Sequence, residues 1–179
     1  MSLRREAGTE SAEVDQAHFR QVLGRVPTGV VVVTSIDAEG PVGMTIGSFF
    51  SVSLEPPLVG FCVGRRSTTW PRIAARGELA VNVLADDQSD LAVRFASSHD
   101  DRFGGVGWSA GPAGPPRLHG ATAVITCRVR EEVGAGDHLI VLAEVLELDV
   151  PREAAPLVFY RSSYGIPPAS TAGPDGPPR

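Results

Sequence analysis

Four consecutive valines, Val30 to Val33, lie within the run 29–36 and constrain this chain more than any other feature. β-branched side chains are stiff at χ1 and pack well on a pleated strand, so the run reads as β. The turn formers Asp37, Ala38, Glu39 and Gly40 follow at once, and Pro41 and Val42 open a second strand, so the pair reads as a hairpin. Further strands are expected over 48–54, 58–63, 79–84, 122–129, 137–149 and 156–160, punctuated by Pro56, Pro57 and a turn at 134–136. The 58–63 segment is almost wholly apolar and is expected to be covered on both faces, whereas 79–84 alternates.

Short helices fill the gaps. Residues 15–24 place Ala17, Phe19, Val22 and Leu23 at helical spacing behind a capping Asp15, and Gly24 and Pro27 stop them. Residues 67–75 read as a second helix capped by Ser67 or Thr68, with Pro71 in its first turn and Trp70, Ile73 and Ala74 inward. Asp86 or Asp87 is expected to cap a third helix reaching Phe95, with Leu91 and Phe95 inward. The segment 102–116 is rich in glycine and proline and reads as irregular. Strands and helices do not alternate in βαβ units and no Gly-x-Gly-x-x-Gly follows the first strand, which disfavours a doubly wound nucleotide fold. The expected fold is mainly β, a closed barrel with short helices plugging or flanking it. The expected organisation is a polar, flexible lead-in over 1–14, one domain over 15–166, and a disordered Pro/Gly-rich tail over 167–179.

At 179 residues, 42% hydrophobic and 21% charged, the chain has the size and composition of a single globular domain. Its formal charge of -5 and the lack of a dense basic patch argue against a nucleic-acid partner. No apolar run is long enough for a membrane helix, and no signal-like segment opens the chain. The two cysteines, Cys62 and Cys127, lie in apolar runs without metal-ligand spacing, so free thiols, a cytoplasmic location and no metal site are expected.

Four segments carry candidate chemistry. Residues 43–57 crowd Thr45, Ser48, Ser51 and Ser53 around Gly43 and Gly47, which suits close backbone approach to a flat ligand but also describes a polar edge strand. Arg65, Arg66, Ser67, Thr68 and Thr69 at a helix start read either as a phosphate cradle or as a cap with solvated arginines. His138, after Gly136 and Asp137, is placed to donate to a cofactor or move a proton, or else belongs to a polar turn. Asn82 in an apolar strand must find partners, either a ligand or the backbone of a crossing loop. His18, His99 and His119 read as surface or structural, and Cys62 as a small hydrophobe. No nucleophile–base set is evident, as expected of a cofactor-driven enzyme.

In order and spacing, 27–34, 43–58, 67–69, 81–84 with Gln88, Phe95 with Ala96, 136–138 and 160–164 resemble the flavin reductase-like family of FMN-binding split barrels. Many of its members are reductase components of two-component flavin monooxygenases. The resemblance places Gly43, Met44, Thr45, Ile46, Gly47 and Ser48 along the isoalloxazine ring, with Thr45 and Ser48 binding through hydroxyl and backbone groups. It gives Cys62, Val63, Gly64, Arg66, Ser67, Thr68 and Thr69 the ribityl and phosphate contacts. Asn82, Val83, Leu84 and Gln88 close the pocket, and Thr28 and Phe95 join the cofactor contacts. His138 sits near flavin and nicotinamide as the catalytic candidate. Tyr160 and Tyr164 sit near the nicotinamide or a dimer seam. Gly47 stands where the family commonly has asparagine, which removes an amide near the flavin. Trp70 is a less common choice, either beneath the flavin tail or in the helix core.

The implied activity is hydride transfer from NADH or NADPH to FMN or FAD, with reduced flavin passed to a monooxygenase or to oxygen. A homodimer is implied as well. The rival reading is an FMN-retaining electron-transfer protein with little nicotinamide activity.

Overall fold

The computed structural model describes residues 14–98, 101–110 and 114–165. The expected lead-in up to residue 13, the tail 167–179 and His99 lie outside the described residues. In chain order the elements are α1 (Gln16–Leu23), β1 (Thr28–Gly29), β2 (Val31–Asp37), β3 (Gly40–Ile46), β4 (Phe50–Leu54) and β5 (Pro57–Gly64). They continue with α2 (Trp70–Arg76), β6 (Glu78–Val83), α3 (Ser89–Ala96), β7 (Trp108–Ser109) and β8 (Arg117–Leu118). The chain closes with β9 (Ala123–Ala135), β10 (His138–Asp149), β11 (Val158–Tyr160) and β12 (Ser163–Gly165).

The main sheet is antiparallel and seven-stranded, in the order β3-β2-β6-β9-β10-β5-β4. The valine run forms β2, paired with β3 through a turn that needs Gly40 at φ 124°. Val31 and Val33 enter one buried cluster, while Val30 and Val32 enter another. That alternation explains how consecutive β-branched residues are all buried. The first cluster joins Ile46 of β3 to Val59, Phe61 and Val63 of β5, so the sheet curls around it. The hydrogen-bonded ladder among the described residues does not close between β3 and β4. Phe61 and Trp70 meet edge to face at 5.6 Å in this core, which settles the alternative left open for Trp70. Its indole nitrogen donates to Glu132 at 3.1 Å.

Asp15 caps α1 as expected, accepting from the N–H groups of Ala17 (3.2 Å) and His18 (2.9 Å). Other expectations need correction. β6 is buried on both faces: Leu79 and Val81 enter the first cluster, Ala80 packs with Ala121 and Val124, and the Asn82 amide accepts the Leu118 N–H. α3 starts at Ser89 with Gln88 at the cap position, and neither Asp86 nor Asp87 caps it. Asp87 is drawn instead to Arg152, which donates to it at 2.8 and 3.1 Å. α2 starts at Trp70, although the Ser67 hydroxyl still accepts the Trp70 N–H at 3.0 Å. The β9–β10 turn lies at Gly136 and Asp137, with Gly134 inside the strand, because Gly136 supplies the required φ of 62°. The irregular 102–116 segment contains β7, paired with β8. β12 pairs with β11, which also carries β1.

Candidate active site

Three distant segments of sequence converge at one end of the sheet. β10 runs antiparallel to β5 with His138 opposite Gly64. A Cβ on Gly64 would meet only the His138 Nε2, at 4.0 Å, so the backbone there is bare. The Ser48 hydroxyl accepts the Cys62 N–H at 2.8 Å and donates back to the Cys62 carbonyl at 3.3 Å, stitching the exit of β3 to β5. Met44 reaches the same region, its sulfur 4.0 Å from the Ser67 hydroxyl. Gly47 is exposed, and a Cβ there would meet only the Thr28 hydroxyl, at 3.4 Å. Thr28 in turn pairs with Phe159, so β1 and β11 border the Gly47 side. Ile46 and Val63 turn into the core and offer main chain only.

The loop after β5 has the donor set of an anion cradle. The main-chain N–H groups of Arg66, Thr68 and Thr69 have no partner among the described residues. The exposed Thr68 lies beside them, and Arg66 is exposed and outside any ion pair among the described residues. A phosphate wants N–H donors, hydroxyls and a guanidinium, so these residues fit a flavin phosphate. The basic pair is split in role. Arg65 turns away and clamps the β9–β10 hairpin, its Nε donating to the Gly136 carbonyl (2.9 Å) and its N–H to that of Asp137 (3.0 Å).

His138 is half-exposed, and its Nδ1 lies 2.7 Å from Asp137 Oδ1. With the carboxylate accepting, the proton of a neutral ring sits on Nδ1 and Nε2 is left as the acceptor beside Gly64. The His138 ring, with Arg66 farther off, holds the Asp137 carboxyl below the usual carboxylate range.

The other candidates are not brought to this place as ligand groups. The Asn82 amide is fully buried and spent inside the protein. It donates to the Val32 carbonyl and the Thr34 hydroxyl, both at 3.0 Å, and accepts the Leu118 N–H at 2.8 Å. The crossing-loop alternative is therefore the one realised. The Gln88 amide accepts the Ala85 N–H (3.0 Å) and donates to the His119 carbonyl (2.9 Å). Leu84 and Phe95 are core residues, and Val83 lies partly buried against the first cluster. The Thr45 hydroxyl donates to Ala92 at 2.7 Å, tying β3 to α3. Gly43 is a packing glycine, since a Cβ there would stand 3.0 Å from the Phe95 ring and 3.1 Å from the Val33 carbonyl. On β11 and β12, Tyr160 is exposed beneath Arg161, and Tyr164 is partly buried against Phe159 with its hydroxyl pKa raised by burial.

Sequence reasoning missed Arg102. Its Nη1 donates to the Gly43 carbonyl (2.7 Å) and the Thr69 hydroxyl (2.9 Å), linking two candidate segments. Nothing local in the irregular 102–116 segment signals this, because both partners are remote in sequence. Among the described residues no group of three or more His, Cys, Asp or Glu is placed to hold a metal ion. No helix among them is long and apolar enough to cross a membrane.

A curled antiparallel sheet presenting glycine backbone, hydroxyls, free N–H groups and one oriented histidine defines a cofactor-binding β domain. Residues 23–167 match the family model for the flavin reductase like domain, and the chain belongs to that family. It is 46% identical over 153 residues to a flavin reductase of Pseudomonas putida, covering 85% of this chain and 90% of the relative. A nitrilotriacetate monooxygenase component B homologue from Mycobacterium thermoresistibile superposes with a TM-score of 0.84 at 37% identity, covering 90% and 91% of the two chains. The NADH:FAD oxidoreductase SgcE6 of Streptomyces globisporus, in complex with NAD and FAD fragments, gives 0.80 at 37% identity, covering 88% and 96%.

Proposed function

We propose that the chain is an NAD(P)H-dependent flavin reductase that supplies reduced flavin to a partner monooxygenase. The observation that carries this is the convergence of Met44, Gly47, Ser48, the 62–69 loop and His138 at one sheet end, in a protein 46% identical to a flavin reductase. The monooxygenase partner is suggested by the likeness to a monooxygenase component B homologue. A flavin held here would supply the two-electron acceptor for a nicotinamide hydride. The free N–H groups of Arg66, Thr68 and Thr69, with the Arg66 guanidinium, bind its phosphate. Gly47 and Gly64 let the ring lie against bare backbone, and Ser48 holds the two strands at fixed separation. Asp137 orients His138, whose Nε2 accepts or relays a proton at the open face.

The curled sheet is read as a split barrel, completed by a homodimer. Exposed Phe19, Val22 and Leu23 on α1 and Leu54 on β4 are the apolar surface that a second copy would cover. Stopped-flow reduction of flavin by NADH and NADPH tests the reading. His138→Ala is expected to slow reduction at least ~10-fold while the flavin dissociation constant stays within about threefold. An unchanged rate removes the role of His138. A retained yellow cofactor without nicotinamide oxidation favours the electron-transfer alternative.

A further inference from the structure

The strand that carries His138 has two faces, and they are used differently. Across β5 and β10, His138 stands opposite Gly64 and Leu139 opposite Val63. Across β10 and β9, His138 stands opposite Ala135 and Leu139 opposite Gly134. Paired residues share a face and successive residues alternate, so Gly64, His138 and Ala135 present one face, and Val63, Leu139 and Gly134 the other. The second face is the inward one, since Val63 lies in the first buried cluster and Leu139 packs against it. Arg65 follows Gly64, and its guanidinium crosses to Gly134, where an added Cβ would stand 2.5 Å from its Nη2. The arginine therefore lies behind the strand, on the side away from the His138 ring.

Three contacts fasten Arg65 to the tip of the β9–β10 hairpin. Its Nε donates to the Gly136 carbonyl at 2.9 Å, and its main-chain N–H to the Asp137 carbonyl at 3.0 Å. Its outer nitrogen fills the place of the missing Gly134 side chain. The tip has little else to fix it. Gly134, Gly136 and Asp137 are exposed, and the two glycines leave the backbone free to move. The His138 ring has one hydrogen-bond partner among the described residues, Asp137 at 2.7 Å, and that partner belongs to the same turn. Where the ring stands over Gly64 is thus decided by where the turn stands, and Arg65 is what ties the turn to β5.

We infer that Arg65 is a positioning residue for His138, and that position 134 is glycine because the Arg65 guanidinium occupies the space of its side chain. The inference rests on the proposed role of His138 in flavin reduction. It gives the two neighbouring arginines separate tasks: Arg66 serves the anion cradle, and Arg65 sets the height and direction of the imidazole. A group displaced by about 1 Å from a reacting centre can lose roughly 100-fold in rate. A loosened turn still brings the ring into place part of the time, so the expected loss is smaller, roughly three- to tenfold.

Two variants of the full chain test it. Arg65→Met removes the donors, whereas Gly134→Ala keeps the arginine and drives its outer end off the strand. The atom that the new methyl meets is the far end of a flexible side chain, and Gly134 is not at positive φ, so the second variant keeps the fold. At saturating flavin and nicotinamide, both are expected to slow stopped-flow flavin reduction roughly three- to tenfold, with the flavin dissociation constant within about threefold of wild type. In a His138→Ala background the same changes should alter the rate by less than about 1.5-fold, because the residue they position is gone. Nitrogen NMR of the flavin-free chain gives a readout apart from activity. The His138 resonances, assigned by their loss in His138→Ala, are expected to show one Nδ1-protonated tautomer in wild type and exchange between tautomers in both variants. An unchanged rate or an unchanged tautomer in Arg65→Met overturns the inference. So does equal slowing with and without His138, which would mark general damage. A loss confined to flavin affinity makes Arg65 a phosphate ligand instead, and slowing by Arg65→Met but not by Gly134→Ala assigns the effect to charge; either result overturns the brace. A wild-type rate in His138→Ala removes the proposed role of His138 and this inference with it, whereas a slow His138→Ala beside unaffected Arg65 and Gly134 variants removes this inference alone.

Discussion

Replacing Asn82 with alanine separates a structural amide from a ligand-binding one. The side chain is fully buried and makes three hydrogen bonds, to the Val32 carbonyl (3.0 Å), the Thr34 hydroxyl (3.0 Å) and the Leu118 N–H (2.8 Å). Thr34 keeps another outlet, donating to the Pro116 carbonyl. The Leu118 N–H loses its side-chain acceptor in the variant. Three bonds at about 1 kcal/mol net each, plus about 1 kcal/mol or more for a donor left dry, give a loss on the order of 4 kcal/mol. That is a large share of the ~5–15 kcal/mol by which a domain is stable, and corresponds to roughly 10 °C in melting temperature at this size. Urea and thermal unfolding followed by circular dichroism measure it. Flavin titration of the folded variant at low temperature should give a dissociation constant within about threefold of wild type. A stability loss under ~1 kcal/mol together with a tenfold weaker flavin affinity would refute the reasoning, because the amide would then face the ligand.

Gly47→Asn should be tolerated, since Gly47 is exposed and its added Cβ meets only the Thr28 hydroxyl at 3.4 Å. One added amide bond of about 1 kcal/mol predicts flavin affinity raised roughly fivefold with unfolding stability within ~0.5 kcal/mol, and fluorescence titration showing unchanged affinity would count against Gly47 as part of the flavin wall. Burial pushes the Cys127 thiol up to about 12, so a thiol reagent at pH 8 should modify at most the half-buried Cys62 in the native protein and both cysteines after denaturation. Modification of two thiols in the native state would show that β9 opens readily. The Arg72 guanidinium holds the Asp37 carboxyl below its ordinary range, so the folded pKa lies below the unfolded one. The stabilisation is therefore fully present above roughly pH 4 and is lost as pH falls through the lowered value. Melting curves of wild type and Asp37→Asn should differ at pH 7 and converge below about pH 3, and a constant difference would contradict the linkage.

The fold was legible wherever local chemistry decides local geometry. β-branched runs, turn residues and Asp15 gave the β2–β3 hairpin, the long β9–β10 pair and the capped start of α1, because strand stiffness, turn conformation and capping act within a few residues. Boundaries failed where a remote partner outbid the local option. Asp87 is a reasonable helix cap by position, yet a guanidinium 65 residues away in sequence takes its carboxylate. Arg65 and Arg66 are neighbours with the same charge, but only the arrival of the β9–β10 hairpin determines that Arg65 is consumed and Arg66 is left free. Arg102 was invisible for the same reason, since its role exists only once Gly43 and Thr69 stand on either side of it.

The glycines of the candidate site show where the limit lies. In sequence, Gly43, Gly47 and Gly64 are alike, each in or beside a β-like run and each suited to close ligand approach. What a side chain would meet at each position separates them. At Gly43 it would run into the Phe95 ring and the Val33 carbonyl, so this glycine lets α3 close on β3 and says nothing about a cofactor. At Gly47 and Gly64 it would meet one polar atom at 3.4 and 4.0 Å, so packing does not require glycine at either. A packing glycine has a reason that the fold already supplies. The two open ones have a reason only if something flat lies against them, and that asymmetry favours a site at the Ser48–Gly64–His138 end of the sheet rather than along all of 43–57.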